Sequence, residues 1–176
     1  MRKMFIFFLI VTTFSIPIQA LAETATAVIK GTEENSTLVG AVVLEDTDEG
    51  LKIEADIAEA PPGQHGIHIH ENGSCEDKGN AAGSHYNPES VKHGFLAADG
   101  LTGAHAGDLG NIQISEKGTG NLYLVVPGLT VRNGTHNVEG RAIILHEKQD
   151  DFGQPAGNAG GRIGCGIIQV NEKNPS

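Results

Sequence analysis

Apolar and polar residues alternate with a period of two in Leu51-Lys52-Ile53-Glu54-Ala55-Asp56-Ile57. That pattern predicts a strand with one buried and one wet face. Residues 38–44 form an apolar, β-branched run, and an Asp- and Gly-containing turn separates the two runs, so they are expected to form a hairpin. Ile112 and Ile114, and Leu122 and Leu124, flank Lys117-Gly118-Thr119-Gly120, which suggests a second hairpin. Residues 25–29, 141–145 and 164–170 supply further strands, and no segment reads as a convincing helix. Two stretches break the pattern. Residues 71–108 are rich in Gly, Asn, Ser and His, and residues 147–162 in Gly, Asp and Asn. Loops of this length in a compact domain are usually functional. The expected architecture is all-β: about eight antiparallel strands in a Greek-key sandwich or flattened barrel carrying two long loops.

The first 22 of the 176 residues have a different character. Arg2 and Lys3 precede an apolar stretch from Phe5 to Ile18, and Ala20-Leu21-Ala22 supplies small residues for cleavage. This is the pattern of an export signal. Thr12, Thr13, Ser15 and Pro17 interrupt the run, which makes it a poor membrane span. The expected organisation is a signal over residues 1–22 and one domain over 23–176. Without Arg2 and Lys3 the remainder has 10 basic and 22 acidic side chains, a formal charge of −12. That balance argues against nucleic acid or an anionic membrane as partner. Cys75 and Cys165 are the only cysteines, and in an exported chain one pair invites one disulfide. Closing a loop of about 90 residues would stabilise the fold by about 4–5 kcal/mol in the chain-entropy account.

Six of the eight histidines follow a metal-binding logic. His68 and His70 lie two apart in a stretch that reads as strand, so both imidazoles point to one face. The long loop then offers His85, His93, His105 and Asp108, and His146 ends the apolar run 142–145. Imidazole is the usual ligand of copper and zinc, and an added carboxylate suits zinc. Seven candidate ligands exceed the need of one ion and fall one short of two four-coordinate sites. A shared, doubly deprotonated imidazole would close that count. His65 and His136 fit neither group.

Several of these segments resemble copper/zinc superoxide dismutases. They include residues 66–71, Gly83-Ser84-His85-Tyr86-Asn87-Pro88, Lys92-His93-Gly94 and His105-Ala106-Gly107-Asp108-Leu109-Gly110-Asn111. Residues 140–148, Gly157-Asn158-Ala159-Gly160-Gly161-Arg162 and Cys165-Gly166 complete the set. The resemblance implies one copper ion on His68, His70, His85 and His146, and one zinc ion on His85, His93, His105 and Asp108, with His85 shared. It implies that Arg162 orients superoxide over copper, that Cys75 and Cys165 are bonded, and that Asp150, rather than the neighbouring Asp151, links the outer nitrogens of His68 and His93. The reaction implied is dismutation of superoxide to oxygen and hydrogen peroxide by an exported enzyme, periplasmic or extracellular, that forms a homodimer or stays monomeric. A copper or zinc store, a copper-delivery module, or an interaction module on the same scaffold are the alternatives. Arg162 separates the enzyme from a store, which has no use for an anion-orienting arginine.

The chain departs from the family pattern in the loop before Arg162, which is shorter and lacks the usual steering lysines and glutamates. Lys78 is the candidate replacement, and Ala156 stands where a threonine is frequent. Asn-X-Ser/Thr sequons occur at Asn35, Asn72 and Asn133.

Overall fold

The structure, a computed structural model, describes residues 22–172. The expected signal segment, apart from Ala22, lies outside the described residues. The strands are β1 (Thr24–Gly31), β2 (Val39–Thr47), β3 (Gly50–Ala58), β4 (Gly63–His70), β5 (Asp108–Ile114), β6 (Gly120–Val126), β7 (Leu129–Thr130), β8 (His136–Asn137), β9 (Ala142–His146), β10 (Arg162–Ile167) and β11 (Gln169–Val170). Eight of them form one antiparallel sheet in the order β5-β4-β9-β10-β1-β2-β3-β6. β11 pairs with β1, and β7 and β8 form a short parallel pair. The all-β antiparallel expectation holds.

The hairpin expected at residues 38–57 is β2–β3, with Thr47 opposite Gly50 across the turn. The second hairpin does not form as a ladder. The turn is present, with Ser115 N–H donating to Thr119 C=O at 2.9 Å, but β5 pairs with β4 and β6 with β3. These strands flank the seam where the curled sheet stays open, so local alternation at residues 112–124 identified the strands correctly and their partners wrongly. Two further differences are small: a short 3-10 segment (Asp77–Ala82) and a single helical turn, α1 (Leu96–Asp99), sit inside the long loop.

Leu51, Ile53, Ala55 and Ile57 of β3, Ala25, Ala27 and Ile29 of β1, and Ile67 and Ile69 of β4 point into one core. β4, like β9 beside it, is buried on its other face too: His68 and His70 are covered by the loop that follows. Three backbone hydrogen bonds hold that loop down. Ile69 N–H donates to Gly107 C=O at 2.9 Å, Tyr86 N–H to Ile69 C=O at 2.8 Å, and Gly107 N–H to Tyr86 C=O at 2.9 Å. The backbone beside His85 and beside Asp108 is thus pinned to the residue between His68 and His70. The Cys75–Cys165 disulfide, with Cα atoms 5.7 Å apart, ties the start of the same loop to β10. Among the described residues no helix is long and apolar enough to cross a membrane.

Gly107 is glycine because of this closeness: a Cβ there would collide with the carbonyl oxygen of Ile69. Gly107→Ala is therefore expected to destabilise the metal-free protein by about 1–3 kcal/mol. Equilibrium denaturation would show a lower midpoint at unchanged slope; an unchanged midpoint would show that the three-bond junction does not matter for stability.

Candidate metal centre

Strand pairing places the first group of side chains. His68 and His70 stand opposite Ile144 and Ala142 of β9, and His146, at the end of β9, stands opposite Arg162 at the start of β10. The loop swings His85 against them; its ring centroid lies 4.1 Å from that of His68 and 4.9 Å from that of His70. His68, His70, His85 and His146 then offer four donor atoms within 4.8 Å of one another, all on buried residues. His85, His93, His105 and Asp108 form a second such group, and His85 belongs to both.

Which nitrogen faces inward follows from the partner of the other one. His68 donates from Nε2 to Asp150 Oδ2 at 2.8 Å, and His70 from Nδ1 to Gly83 C=O at 2.9 Å. Nδ1 of His146 faces Gly160 C=O at 3.4 Å. This leaves Nδ1 of His68 and Nε2 of both His70 and His146 as lone pairs. The latter two lie 3.3 Å apart, and Nδ1 of His68 is buried with no hydrogen-bond partner. Converging lone pairs that carry no hydrogen repel one another unless a cation sits among them, so this donor set fits copper, which favours imidazole.

The second group has a different composition. Asp108 Oδ1 lies 2.8 Å from His85 Nδ1 and 3.1 Å from His105 Nδ1. Its Oδ2 accepts the backbone N–H of Gly94 at 3.0 Å and of His105 at 2.9 Å, which fixes the carboxylate. His93 Nδ1 is 2.9 Å from Asp108 Oδ2 but is not aligned for a hydrogen bond and counts as unpartnered. Close approach without alignment is the geometry of two ligands aimed at one point. Adjacent ligands of a tetrahedral zinc site lie about 3.3 Å apart for bonds of about 2.0 Å, and three imidazoles with one carboxylate suit that ion.

Asp150 joins the groups. It is fully buried, accepts from His68 as above, and lies 2.9 and 3.0 Å from Nε2 of His93. Asp151, the other candidate, is exposed and bonds Asn158 instead. Burial lowers His68 to about 4, His70 to about 2 and His146 to about 3, so at neutral pH all three carry lone pairs ready for a metal. Burial alone would lower His93 too, but Asp108 and Asp150 overcome it and raise it to about 9. Both carboxyls are held well below the usual carboxylate range: burial would raise them, and the hydrogen bonds from the histidines win.

A cavity of about 510 Å³ opens over the first group, lined in part by His70, His85, His146, Ala156, Asn158 and Arg162. Arg162 donates from Nη1 to Gly79 C=O and from Nη2 to Gly83 C=O, each at 2.6 Å. Burial lowers its pKa, yet an arginine stays charged. It is the only cation among the described residues lining this cavity. Lys78 does not line this cavity; its ammonium pairs with Glu33 at 2.8 Å on the exposed surface, which offsets its charge.

His65, set aside as a non-ligand, lies in neither ligand group but braces one. It is buried, with Nδ1 2.8 Å from the carbonyl of His146 and Nε2 2.9 Å from that of Pro61. Its place at a buried strand position was the only signal in the sequence. His136 pairs with Glu89 at 2.7 Å, away from both groups.

A family model described as copper/zinc superoxide dismutase matches residues 38–168. The extracellular superoxide dismutase (Cu-Zn) of Haemonchus contortus is 37% identical over 149 residues, covering 81% of this chain and 79% of that protein. The superoxide dismutase (Cu-Zn) of Photobacterium leiognathi is 34% identical over 169 residues, covering 89% and 92%. Among solved structures, the clock protein EA4 superposes with a TM-score of 0.75 at 32% identity, covering 92% of this chain and all of that one.

The raised pKa of His93 has a consequence for zinc uptake. The metal-free protein keeps a proton on His93 up to about pH 9, and a zinc ion taken up by the second group through His93 would have to displace it. Binding at pH 7 should release that proton, and zinc affinity should fall about tenfold per unit as pH drops below 9. Titration calorimetry in buffers of different ionisation heat reads the proton directly; zinc uptake at pH 7 with no proton released contradicts the protonated His93.

Proposed function

The chain belongs to the copper/zinc superoxide dismutase family, and on that premise we propose how its residues divide the work. The protein is an enzyme that converts superoxide to oxygen and hydrogen peroxide with copper and zinc. His68, His70, His85 and His146 hold copper; His85, His93, His105 and Asp108 hold zinc; His85 serves both. The observation that carries this assignment is the pair of buried four-donor groups meeting at one histidine beneath a cavity that Arg162 enters. Copper, when bound, exchanges one electron with each of two superoxide ions in turn, while zinc has no redox role and shapes the site.

The protein's own groups supply the rest. Arg162 spends two of its five N–H donors on Gly79 and Gly83, which fixes its plane and leaves the others for the anion. Its charge offsets that of superoxide inside a cavity where a lone anion would be poorly solvated. His85 is held through Nδ1 beside Asp108, so its Nε2, whenever copper does not engage it, can take one proton in one half of the cycle and give it to the departing peroxide in the other, the second proton of hydrogen peroxide coming from solvent. Asp150 keeps the protons of His68 and His93 on Nε2, so that both Nδ1 lone pairs face inward.

The export signal of residues 1–22 and the disulfide support a location outside the cytosol, and we place the mature chain, residues 23–176, in the periplasm, with fractionation of the source cells as the measurement. We read the assembly as a homodimer, supported by the exposed Val28, Val39 and Val43 on the adjoining strands β1 and β2. Sedimentation should give twice the chain mass, and a monomer at all concentrations would overturn this.

For the loaded enzyme, His146→Ala is expected to abolish superoxide removal, and Arg162→Ala to lower it by roughly 10–100-fold with copper retained. With Arg162 the lone cation among the described residues of the cavity, raising the ionic strength should cost less than about threefold in rate as the screening length shrinks from about 30 to about 8 Å. Pulse radiolysis across a salt series measures both; a steep salt dependence that survives Arg162→Ala would place the steering charges elsewhere.

A further inference from the structure

The loop over residues 147–162, where the chain departs from its family, contains a contact with a zinc ligand. His93 lies in an irregular stretch, so no strand or helix ladder fixes its backbone. Gln154 does so instead. Its Oε1 accepts the His93 N–H at 3.2 Å and its Nε2 donates to the His93 C=O at 2.8 Å. One carboxamide thus pairs with both polar groups of one residue, as a neighbouring strand would. Two other carboxamides clasp backbone in the same manner: Asn87 on Val91, and Asn111 on Asp150. Both of those lie in segments that carry the family resemblance; Gln154 does not.

The same loop grips His93 twice more. The Phe152 ring stacks over its imidazole with centroids 6.4 Å apart at 21°, and leans on Phe95 at 5.8 Å. Asp150 holds Nε2. The loop is itself closed into a compact unit: Asp151 accepts from Gly153 N–H and from the Asn158 carboxamide, and Gly157 N–H donates to Gly153 C=O at 2.7 Å.

We propose that Gln154 is a positioning residue for zinc, fixing the His93 backbone so that Nδ1 faces the Asp108 group while Nε2 stays on Asp150. The inference rests on the reading of His93 as a zinc ligand. It predicts an asymmetry. The copper-side partner of Asp150, His68, sits on the β4 ladder, and Asp150 is itself held by Asn111. Loss of the Gln154 clasp therefore loosens zinc and leaves copper in place.

The test uses the mature chain loaded with copper and zinc. Gln154→Met keeps the length and bulk of the side chain and removes both hydrogen bonds. Release of zinc to a colorimetric chelator is expected to be about tenfold faster or more, with copper content and the Cu(II) paramagnetic resonance spectrum unchanged. Cobalt(II) placed in the zinc site should show altered visible bands in the same variant. Gln154→Glu keeps the acceptor for the His93 N–H and loses the donor, so its zinc release should fall between the two; it also carries the test if Gln154→Met folds poorly. Zinc release equal to that of the parent, or copper lost in step with zinc, overturns the proposal. His93→Ala separates the underlying reading: if that variant keeps zinc as the parent does, the zinc assignment fails, whereas if it loses zinc and Gln154→Met does not, only the role of Gln154 fails.

Discussion

A single carboxylate, Asp150, sits between two imidazoles with no exposure to water, and the rest of the site depends on that arrangement. Burying a charged carboxylate is costly unless hydrogen bonds and opposite charge offset the lost hydration. Here His68, His93 and the Phe152 N–H all point at it. In exchange the carboxylate dictates where the ring protons lie. Both rings present Nδ1 inward, one to each group of donors, so the two metal positions are coupled before any ion arrives. An Asp150→Asn change would leave the shape nearly intact and remove that instruction.

The two halves of the site are held by different physics. In the group proposed for copper, His68, His70 and His146 project from strands whose register is set by ladders on both flanks, and the partner of His146 across the ladder is Arg162. In the group proposed for zinc, His93 and His105 project from irregular backbone, His85 from a single β-bridge to His70, and Asp108 only begins a strand. Order there comes from piecemeal contacts: the Gly107 junction, the carboxamide clasps, and the carboxylates themselves. A ladder resists displacement along many bonds at once. A set of individual contacts gives way one at a time, so the half of the site proposed for zinc is expected to open more readily than the half proposed for copper.

Much of this was legible in the sequence because the relevant signals are periodic or discrete. The i, i+2 spacing of His68 and His70 on a strand, the β2–β3 hairpin, and a lone cysteine pair in an exported chain each have one simple geometric meaning. The surplus of seven ligands over the needs of one ion points by itself to a shared histidine. What escaped was non-local. The partners of β5 and β6 depend on how the whole sheet curls, which no window of residues 112–124 contains. The withdrawal of Lys78 depends on Glu33, far away in the chain. His65 and Gln154 act through backbone carbonyls and amides, which leave no mark in a side-chain pattern.

The disulfide also bears on when the site becomes competent. Arg162 is aimed by the carbonyls of Gly79 and Gly83, and these belong to the segment that Cys75 fastens to Cys165, three residues beyond Arg162 on β10. With the thiols reduced, the segment loses its fastening and the guanidinium loses its fixed anchors. If Arg162 acts as proposed, readiness for catalysis is coupled to the thiol chemistry of the surroundings. A newly made chain in a reducing compartment would carry its ligands but an unaimed arginine, and the covalent bond formed later acts as the step that arms it.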